Sequence, residues 1–137
     1  MSGARATGAL PVNVDSLKMP APLTHAFAVP ASTKLVFVSG LTAKDAEGQT
    51  VGAGDAEAQA DHILTVIGEI LTAAGGSIDD VIKLTVYLQD RSYAPQVGKA
   101  RGRHFSSAPL PASTMVVAQL MSDDQLVEIE AVAAIPA

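Results

Sequence analysis

The stretch AEAQADHILTVIGEILTAAGGSIDDVIKLTVYL, residues 56–88, decides the fold because its hydrophobic period changes partway along. Asp55 can cap a first helical turn, and Gly75-Gly76 provides the left-handed stop that ends many helices. Between these signals, apolar residues recur at the helical spacing of three and four: Ile63, Val66, Ile67, Ile70, Leu71 and Ala74. The first half therefore predicts one amphipathic helix.

The second half of this stretch changes to the period of a strand. The residues SIDD, 77–80, have the pattern of a small capping box, and VIKLTVYLQ follows them. There the apolar and polar positions alternate: Ile82, Leu84, Val86 and Leu88 against Lys83, Thr85 and Tyr87. We expect a strand with one buried face directly after the helix.

Towards the N-terminus, AFAVPASTKLVFVSG, residues 26–40, contains two apolar runs. The insert from Pro30 to Lys34 is rich in turn residues and predicts a hairpin, whose second strand from Leu35 to Ser39 should be buried. Gly40 follows directly, and a glycine at that place often marks a bulge or a close backbone approach. A further short strand is predicted around Val12 to Val14.

Towards the C-terminus, a second helix is predicted from about Ser92 to Phe105, although Gly98 and Gly102 weaken it. The stretch PLPASTMVVAQL, residues 109–120, then predicts a strand that begins at a hydroxyl pair. In the last segment, LVEIEAVAAI, alternate residues are apolar, and Glu128 and Glu130 share the other face.

This order of elements predicts an α+β fold, a mixed β-sheet with two helices packed on one face. A single helix layer leaves the other sheet face, which carries Glu128 and Glu130, open to water or to other subunits. We therefore expect a homo-oligomer, a trimer or a dimer.

Length and composition limit the class of protein. The 137 residues suit one domain, 1–137, and residues 1–21 are scattered with Gly, Pro and Ser, typical of a partly flexible arm. A net charge of −5 makes nucleic acid an unexpected partner. Because no run of about 18 apolar residues and no leader pattern occurs, we expect no membrane partner and a cytoplasmic location.

The residues that could perform chemistry are limited because the chain has no cysteine. His25, His62 and His104 lack the spacing of metal ligands, so neither a metal nor another cofactor is expected. Arg101 and Arg103 form a small basic group with His104 at the end of the second helix. This group either complements the helix C-terminus or supplies a cation to a binding cleft.

Four segments resemble the RidA/YjgF family and follow one another in the order that the family has, from about Pro22 to the C-terminus. They are KLVFVSG, the long stretch of residues 56–88, PAST and LVEIEAVA. The resemblance implies a chorismate-mutase-like fold, homotrimers with a cleft at each subunit interface and, in the best-known branch, hydrolysis of reactive enamines and imines. The products of that reaction are ammonia and a 2-oxo acid.

The resemblance also implies roles for individual residues. Glu128 matches the carboxylate that positions or activates the attacking water, and Gly40 matches a Ser-Gly turn beside the cleft. Ser113 stands where the deaminase branch has an Arg that holds the substrate carboxylate. Thr114 could hold a polar group of the ligand, while Leu23 and Met115 stand where the family often has Tyr and Cys.

A hydroxyl cannot replace the charge and the two parallel hydrogen bonds of an arginine. We therefore expect weak activity on simple 2-imino acids and consider two functions. The first is a small-molecule hydrolase of C–N bonds, with Glu128 as catalytic residue and a shifted substrate. The second is a non-catalytic, trimeric ligand-binding or chaperone-like protein. The sequence does not name the substrate.

Overall fold

The computed structural model describes residues 8–18 and 23–137. The strands and helices of this part are β1 Leu10–Val12, β2 Ala26–Ala28, β3 Lys34–Leu41, α1 Ala56–Ala73, β4 Val81–Leu88, α2 Ala94–His104, β5 Ala112–Val117 and β6 Val127–Ile135. Short 3-10 turns, Ile78–Asp80 and Arg91–Tyr93, precede β4 and α2. Of the arm expected over residues 1–21, residues 1–7 and 19–21 lie outside the described residues, and the single domain over residues 1–137 stays a prediction.

The main sheet has four strands in the order β3-β6-β4-β5. β6 pairs antiparallel with β3 and with β4, whereas β5 runs parallel to β4, so the sheet is mixed. Ile63 of α1 and Val97 of α2 belong to one buried core with Leu84 and Ile129 of the sheet. The predicted α+β fold with two helices on one sheet face is confirmed.

The two faces of this sheet are occupied by alternate residues of each strand. The helix face carries six buried side chains of the central strands: Leu84, Val86, Leu88, Val127, Ile129 and Ala131. The opposite side, here called the open face, carries Tyr87 of β4 and Glu128 and Glu130 of β6. The predicted alternation is confirmed for β6 and for residues 84–88 of β4, whereas the prediction that Ile82 shares the buried helix face is wrong, because the strand is irregular at its start.

Helix α1 forms as its sequence predicts. The Asp55 side chain accepts a hydrogen bond from the Ala58 amide, and Gly75, with φ of +93°, follows the last turn. The buried side of α1 is rotated slightly from the predicted apolar stripe. Leu64, which is outside that stripe, is fully buried, whereas Ile70, which belongs to it, is 36% exposed. No helix in the described ranges is long and apolar enough to cross a membrane.

The N-terminal strands differ from the prediction. β2 pairs with β1 rather than with β3, and β3 pairs with β6 at the edge of the main sheet, so the predicted hairpin is wrong. The predicted burial of residues 35–39 is also wrong, because Phe37 is 74% exposed and only Val38 is buried. The choice of strand partner depends on residues about 100 positions away, which a local turn signal does not report.

The start of β4 contains an irregularity that covers part of the open face. Ser77 and Asp80 form the predicted capping box, and the pairing with β6 shifts between Val81 and Lys83. Val81 therefore joins the main core, while Ile82 turns to the open face and packs in a second cluster with Ala9, Phe27, Val132 and Ala134. The small β1-β2 sheet thus covers one end of that face.

Candidate active site

Glu128 lies on the open face at a place where the neighbouring strand is irregular. The pairing of β3 with β6 shifts between Val38 and Leu41, which brings Gly40 against the Glu128 side chain. A Cβ atom built on Gly40 would overlap the Oε2 atom of Glu128. Gly40 thus makes the close backbone approach that its sequence position predicts, and it leaves the space that the carboxylate occupies.

Glu128 lines a concavity of about 320 Å³, here called the carboxylate pocket. Its lining comprises Gly40, Tyr87, Glu128, Glu130 and the segment 118–121. Tyr87 is the direct partner of Glu128 across the β4-β6 pair. The pocket therefore combines two carboxylates and a phenol on the open face, a set that can bind and move protons.

Two buried glutamines fix the loop that leads into β6. The side chain of Gln59 accepts from the Leu126 amide at 2.8 Å and donates to the Asp124 carbonyl at 2.9 Å. Gln125 accepts from the Ala43 amide at 3.0 Å. These contacts set where β6 begins and so where Glu128 points. Neither glutamine was predicted from the sequence, where the signals are a polar residue on the apolar side of α1 and another directly before an apolar strand.

Ser113 and Met115 lie on the other side of the sheet from Glu128. In the parallel pair of β4 and β5, Ser113 is in register with Leu84 and Met115 with Val86, both of which face the helices. The Ser113 hydroxyl accepts a hydrogen bond of 3.0 Å from Nη1 of Arg101 on α2. A guanidinium therefore reaches Ser113 from the helix.

Arg101 lies in the wall of a second cavity, of about 290 Å³, here called the α2 pocket. Its lining is otherwise apolar or glycine: Ala94, Gly98, Gly102, Phe105, Leu110, Pro111 and Met115. Cβ atoms built on Gly98 and Gly102 would meet no heavy atom within 4 Å, so both glycines widen the cavity. Burial lowers the pKa of Arg101 from its usual value, because the cation has lost water.

Arg103 and His104 have a different role from Arg101. Arg103 contacts Glu57 at 2.7 Å and Asp61 at 3.3 Å, and His104 Nε2 lies 2.9 Å from Asp61 Oδ1. The hydrogen bond from His104, and then that from Arg103, lower the pKa of Asp61. These two residues join α2 to α1, and only Arg101 of the basic group reaches the residues proposed for substrate binding.

Thr114 and Leu23 line neither pocket. Thr114 is on the open face, where its hydroxyl accepts from Nζ of Lys83 at 2.7 Å. Leu23 is half-buried and precedes Thr24, whose hydroxyl donates to the Leu110 carbonyl. The roles of Thr114 and Leu23 in binding stay predictions. Across residues 8–18 and 23–137, no group of three or more His, Asp or Glu side chains could hold a metal ion.

Four of the site residues predicted from the sequence thus fall into two groups on opposite faces of the sheet. Gly40 and Glu128 meet in the carboxylate pocket. Ser113 and Met115 lie at the α2 pocket with Arg101. One chain does not bring the two groups together.

Comparison with known proteins agrees with this architecture. Residues 15–135 match the family model described as Endoribonuclease L-PSP. The chain is 33% identical over 124 residues to a RutC family protein of Synechocystis, an alignment that covers 90% of this chain and 95% of the relative. It is 34% identical over 114 residues to the 3-aminoacrylate deaminase RutC of Acinetobacter baylyi, covering 83% and 90% of the two chains.

A solved structure gives the same result. The crystal structure of the Rid family protein YyfB from Yersinia pestis superposes with a TM-score of 0.84 at 25% identity, and it covers 94% of this chain and all of that one. The order of the strands, the single helix layer and the sequence matches agree over nearly the same residues. The chain therefore belongs to the RidA/YjgF family.

Proposed function

We propose that the protein hydrolyses the C–N bond of a small enamine or imine, with Glu128 as the general base. The observation that carries this proposal is the position of Glu128 in the carboxylate pocket, directly against the Gly40 backbone. The deaminase relative from Acinetobacter supports the reaction class. The proposed substrate differs from simple 2-imino acids, because residue 113 is a serine.

The reaction assigns a defined task to the carboxylate. An enamine first takes a proton on carbon and becomes an imine. Water then attacks the imine carbon while Glu128 accepts one of its protons, and the nitrogen gains a proton before the C–N bond breaks. The products are a carbonyl compound and ammonia, so the atoms of imine and water are all accounted for. Tyr87, in register with Glu128, lies where a phenol can hold the water or the leaving nitrogen.

A cleft that uses both groups of site residues requires two subunits. The carboxylate pocket and the α2 pocket lie on opposite sides of the same sheet, so no small ligand touches both within one chain. The open face also exposes apolar side chains such as Leu35, Phe37 and Val116, typical of a surface that another subunit covers. We therefore keep the homotrimer as part of the proposal.

The charge of the molecule favours a small substrate over RNA. The net charge is −5, and the carboxylate pocket contains two acidic side chains, which repel phosphate groups. The word endoribonuclease in the description of the family model therefore does not decide the substrate of this chain. Incubation with single-stranded RNA should give no cleavage above that of a Glu128→Gln preparation.

The test of the proposed function is the Glu128→Gln variant. Glutamine keeps the shape of the side chain and removes the basic oxygen, so turnover should fall by roughly two orders of magnitude. Cyclic imines, aminomuconate-like enamines and imines formed in situ by an amino-acid oxidase would be screened first, with ammonia release as the readout. Glu69→Gln, an exposed change on α1, is the control and should keep full activity.

The competing function is a trimeric binding protein without catalysis. It predicts that no compound in the screen is hydrolysed and that Glu128→Gln alters only the affinity of a bound ligand. A substrate whose rate is the same in wild type and Glu128→Gln would remove Glu128 from the mechanism.

A further inference from the structure

Arg101 is a cation without a counter-charge in the described part of the chain. It forms none of the ion pairs found among residues 8–18 and 23–137. Its recorded side-chain partner is the neutral Ser113 hydroxyl, which accepts only one of the five N–H groups of a guanidinium. Arg103, two residues along the same helix, contacts two carboxylates instead.

The surroundings of Arg101 make this lack of a partner costly. The side chain is partly buried, and its pKa is lowered by the loss of water. A buried charge is normally paired, since an unpaired one loses its hydration without compensation. An anion that entered the α2 pocket would restore that compensation, with up to two parallel hydrogen bonds if the anion is a carboxylate.

The other walls of the α2 pocket define the rest of the ligand. Phe105, Leu110 and Met115 offer apolar surface, and Gly98 and Gly102 leave space where side chains would otherwise stand. A ligand that fills about 290 Å³ beside these groups needs an apolar body several carbons long. Acetate or pyruvate would leave most of the apolar wall uncovered.

We propose that the α2 pocket binds the carboxylate of a substrate with an apolar side chain, and that Arg101 is the residue that holds it. This inference rests on the proposed hydrolase only in naming the ligand as its substrate. The substrate class is then 2-imino acids or enamines with a branched aliphatic or aromatic side chain. Arg101 from α2 supplies the cation, and the short Ser113 side chain leaves the guanidinium room.

The experiment measures binding, so it does not depend on catalysis. The probe is 4-methyl-2-oxopentanoate, a product-like carboxylate, titrated into the protein by calorimetry or by ligand-observed NMR. Wild type should bind it more tightly than pyruvate, and should not bind the neutral ketone 4-methyl-2-pentanone. Arg101→Gln should weaken binding by about ten- to a hundredfold, the scale of lost charge-assisted hydrogen bonds, and Arg101→Lys by less.

Matched variants separate this role from a structural one. Arg103→Gln removes the same charge from the same helix and should leave binding unchanged. Gly98→Leu fills the α2 pocket with a good helix former and should abolish binding while the melting temperature is kept. If Arg101→Gln folds poorly, the Gly98→Leu variant still tests whether the ligand occupies the α2 pocket. Equal binding by wild type and Arg101→Gln, or no binding by wild type, would overturn the proposal.

Two further results distinguish this inference from others. Loss of binding in Lys83→Gln but not in Arg101→Gln would move the anion to the open face and contradict the assignment. Glu128→Gln should bind the probe as wild type does. Arg101-dependent binding without any hydrolysis would defeat the proposed function and leave the assignment of Arg101 standing.

Discussion

At the scale of single residues, the site depends on the absence of a side chain at Gly40. Gly40 has a negative or extended φ that other residues also adopt, so the reason for a glycine there is space rather than conformation. The atom that a Cβ would meet belongs to the flexible end of Glu128. That carboxylate can therefore move away, but then it leaves its place above the β3 backbone.

Gly40→Ala should for this reason separate activity from stability. The melting temperature should change little, since only a flexible carboxylate is displaced. Turnover should fall about tenfold or more, because the proposed base no longer lies where the water is held. Enzyme kinetics and thermal unfolding of the same preparation measure both effects.

Gly48→Ala is the matched control with the opposite expectation. Gly48 has φ of +81°, and a Cβ there would meet nothing within 4 Å. Alanine is strained at such a φ, so stability should fall by about 1 kcal/mol while turnover is kept. Full activity of Gly40→Ala would mean that the exact position of Glu128 is unimportant.

Residue positions in the site were predictable where a strand has a clear alternation. The pattern of β6 places Glu128 opposite Val127 and Ile129, and this is confirmed. The face of Ser113 was not predictable, because Met115, Val116 and Val117 are all apolar and β5 shows no alternation. Its face follows from the parallel register with β4, a long-range contact. The link from Arg101 to Ser113 was one of two alternatives that the sequence left open.

At the scale of elements, the contact between the two helices depends on a small charged cluster. Asp61 of α1 accepts from both Arg103 and His104 of α2. The Asp61 side chain is 43% exposed, so water screens these contacts, and pairs of this kind contribute less than about 1 kcal/mol. The helices are held mainly by their shared apolar core.

Asp61→Asn should destabilise the protein slightly, and the effect should depend on pH. The pKa of Asp61 is lowered in the folded state, chiefly by the His104 hydrogen bond. Its contribution is therefore present above the unfolded pKa of about 4 and is lost as the pH falls through the lower folded value. The difference between wild type and variant in the free energy of unfolding, measured by urea at pH 7, 5 and 3, should be under about 1 kcal/mol and shrink at pH 3.

Asp123→Asn provides the comparison, because Asp123 is exposed and forms no ion pair with the described residues. The free energy of unfolding at pH 7 should be nearly unchanged in this variant. A difference for Asp61→Asn that grew towards pH 3 would contradict the direction of the pKa shift.

Elements were predictable where their signals are local. α1 has a clear period, a cap and a glycine stop, and β4 has a clear alternation; both form within a residue or two of the predicted bounds. The pairing of β2 with β1 was not predictable from the turn at residues 30–34. A turn signal indicates that the chain reverses but does not indicate which strand lies alongside, and β3 pairs with β6.

At the scale of the whole molecule, the isolated chain leaves its open face incompletely covered. The β1-β2 sheet covers the end near Ile82 and Ala134, while Phe37 remains 74% exposed. An apolar patch beside a polar pocket is typical of a subunit interface. The proposed trimer would bury this surface and bring the carboxylate pocket of one subunit towards the α2 pocket of another.

This arrangement predicts complementation between two inactive variants. Glu128→Gln lacks the proposed base, and Arg101→Gln lacks the proposed anchor, so each homotrimer alone should be nearly inactive towards a branched-chain 2-imino acid. In trimers formed from equal amounts of both chains, a site that takes its base from one subunit and its anchor from the next has both groups in about a quarter of cases. Co-refolded mixtures should therefore recover about a quarter of wild-type turnover, whereas mixtures of separately folded trimers should not.

Light scattering must give the mass of three chains for wild type and mixture alike, and a stable monomer would exclude the trimer. If the mixed trimers stay as inactive as their parents, Glu128 and Arg101 do not serve one shared cleft. Within one chain the two pockets lie on opposite sides of the sheet, so only neighbouring subunits could combine them.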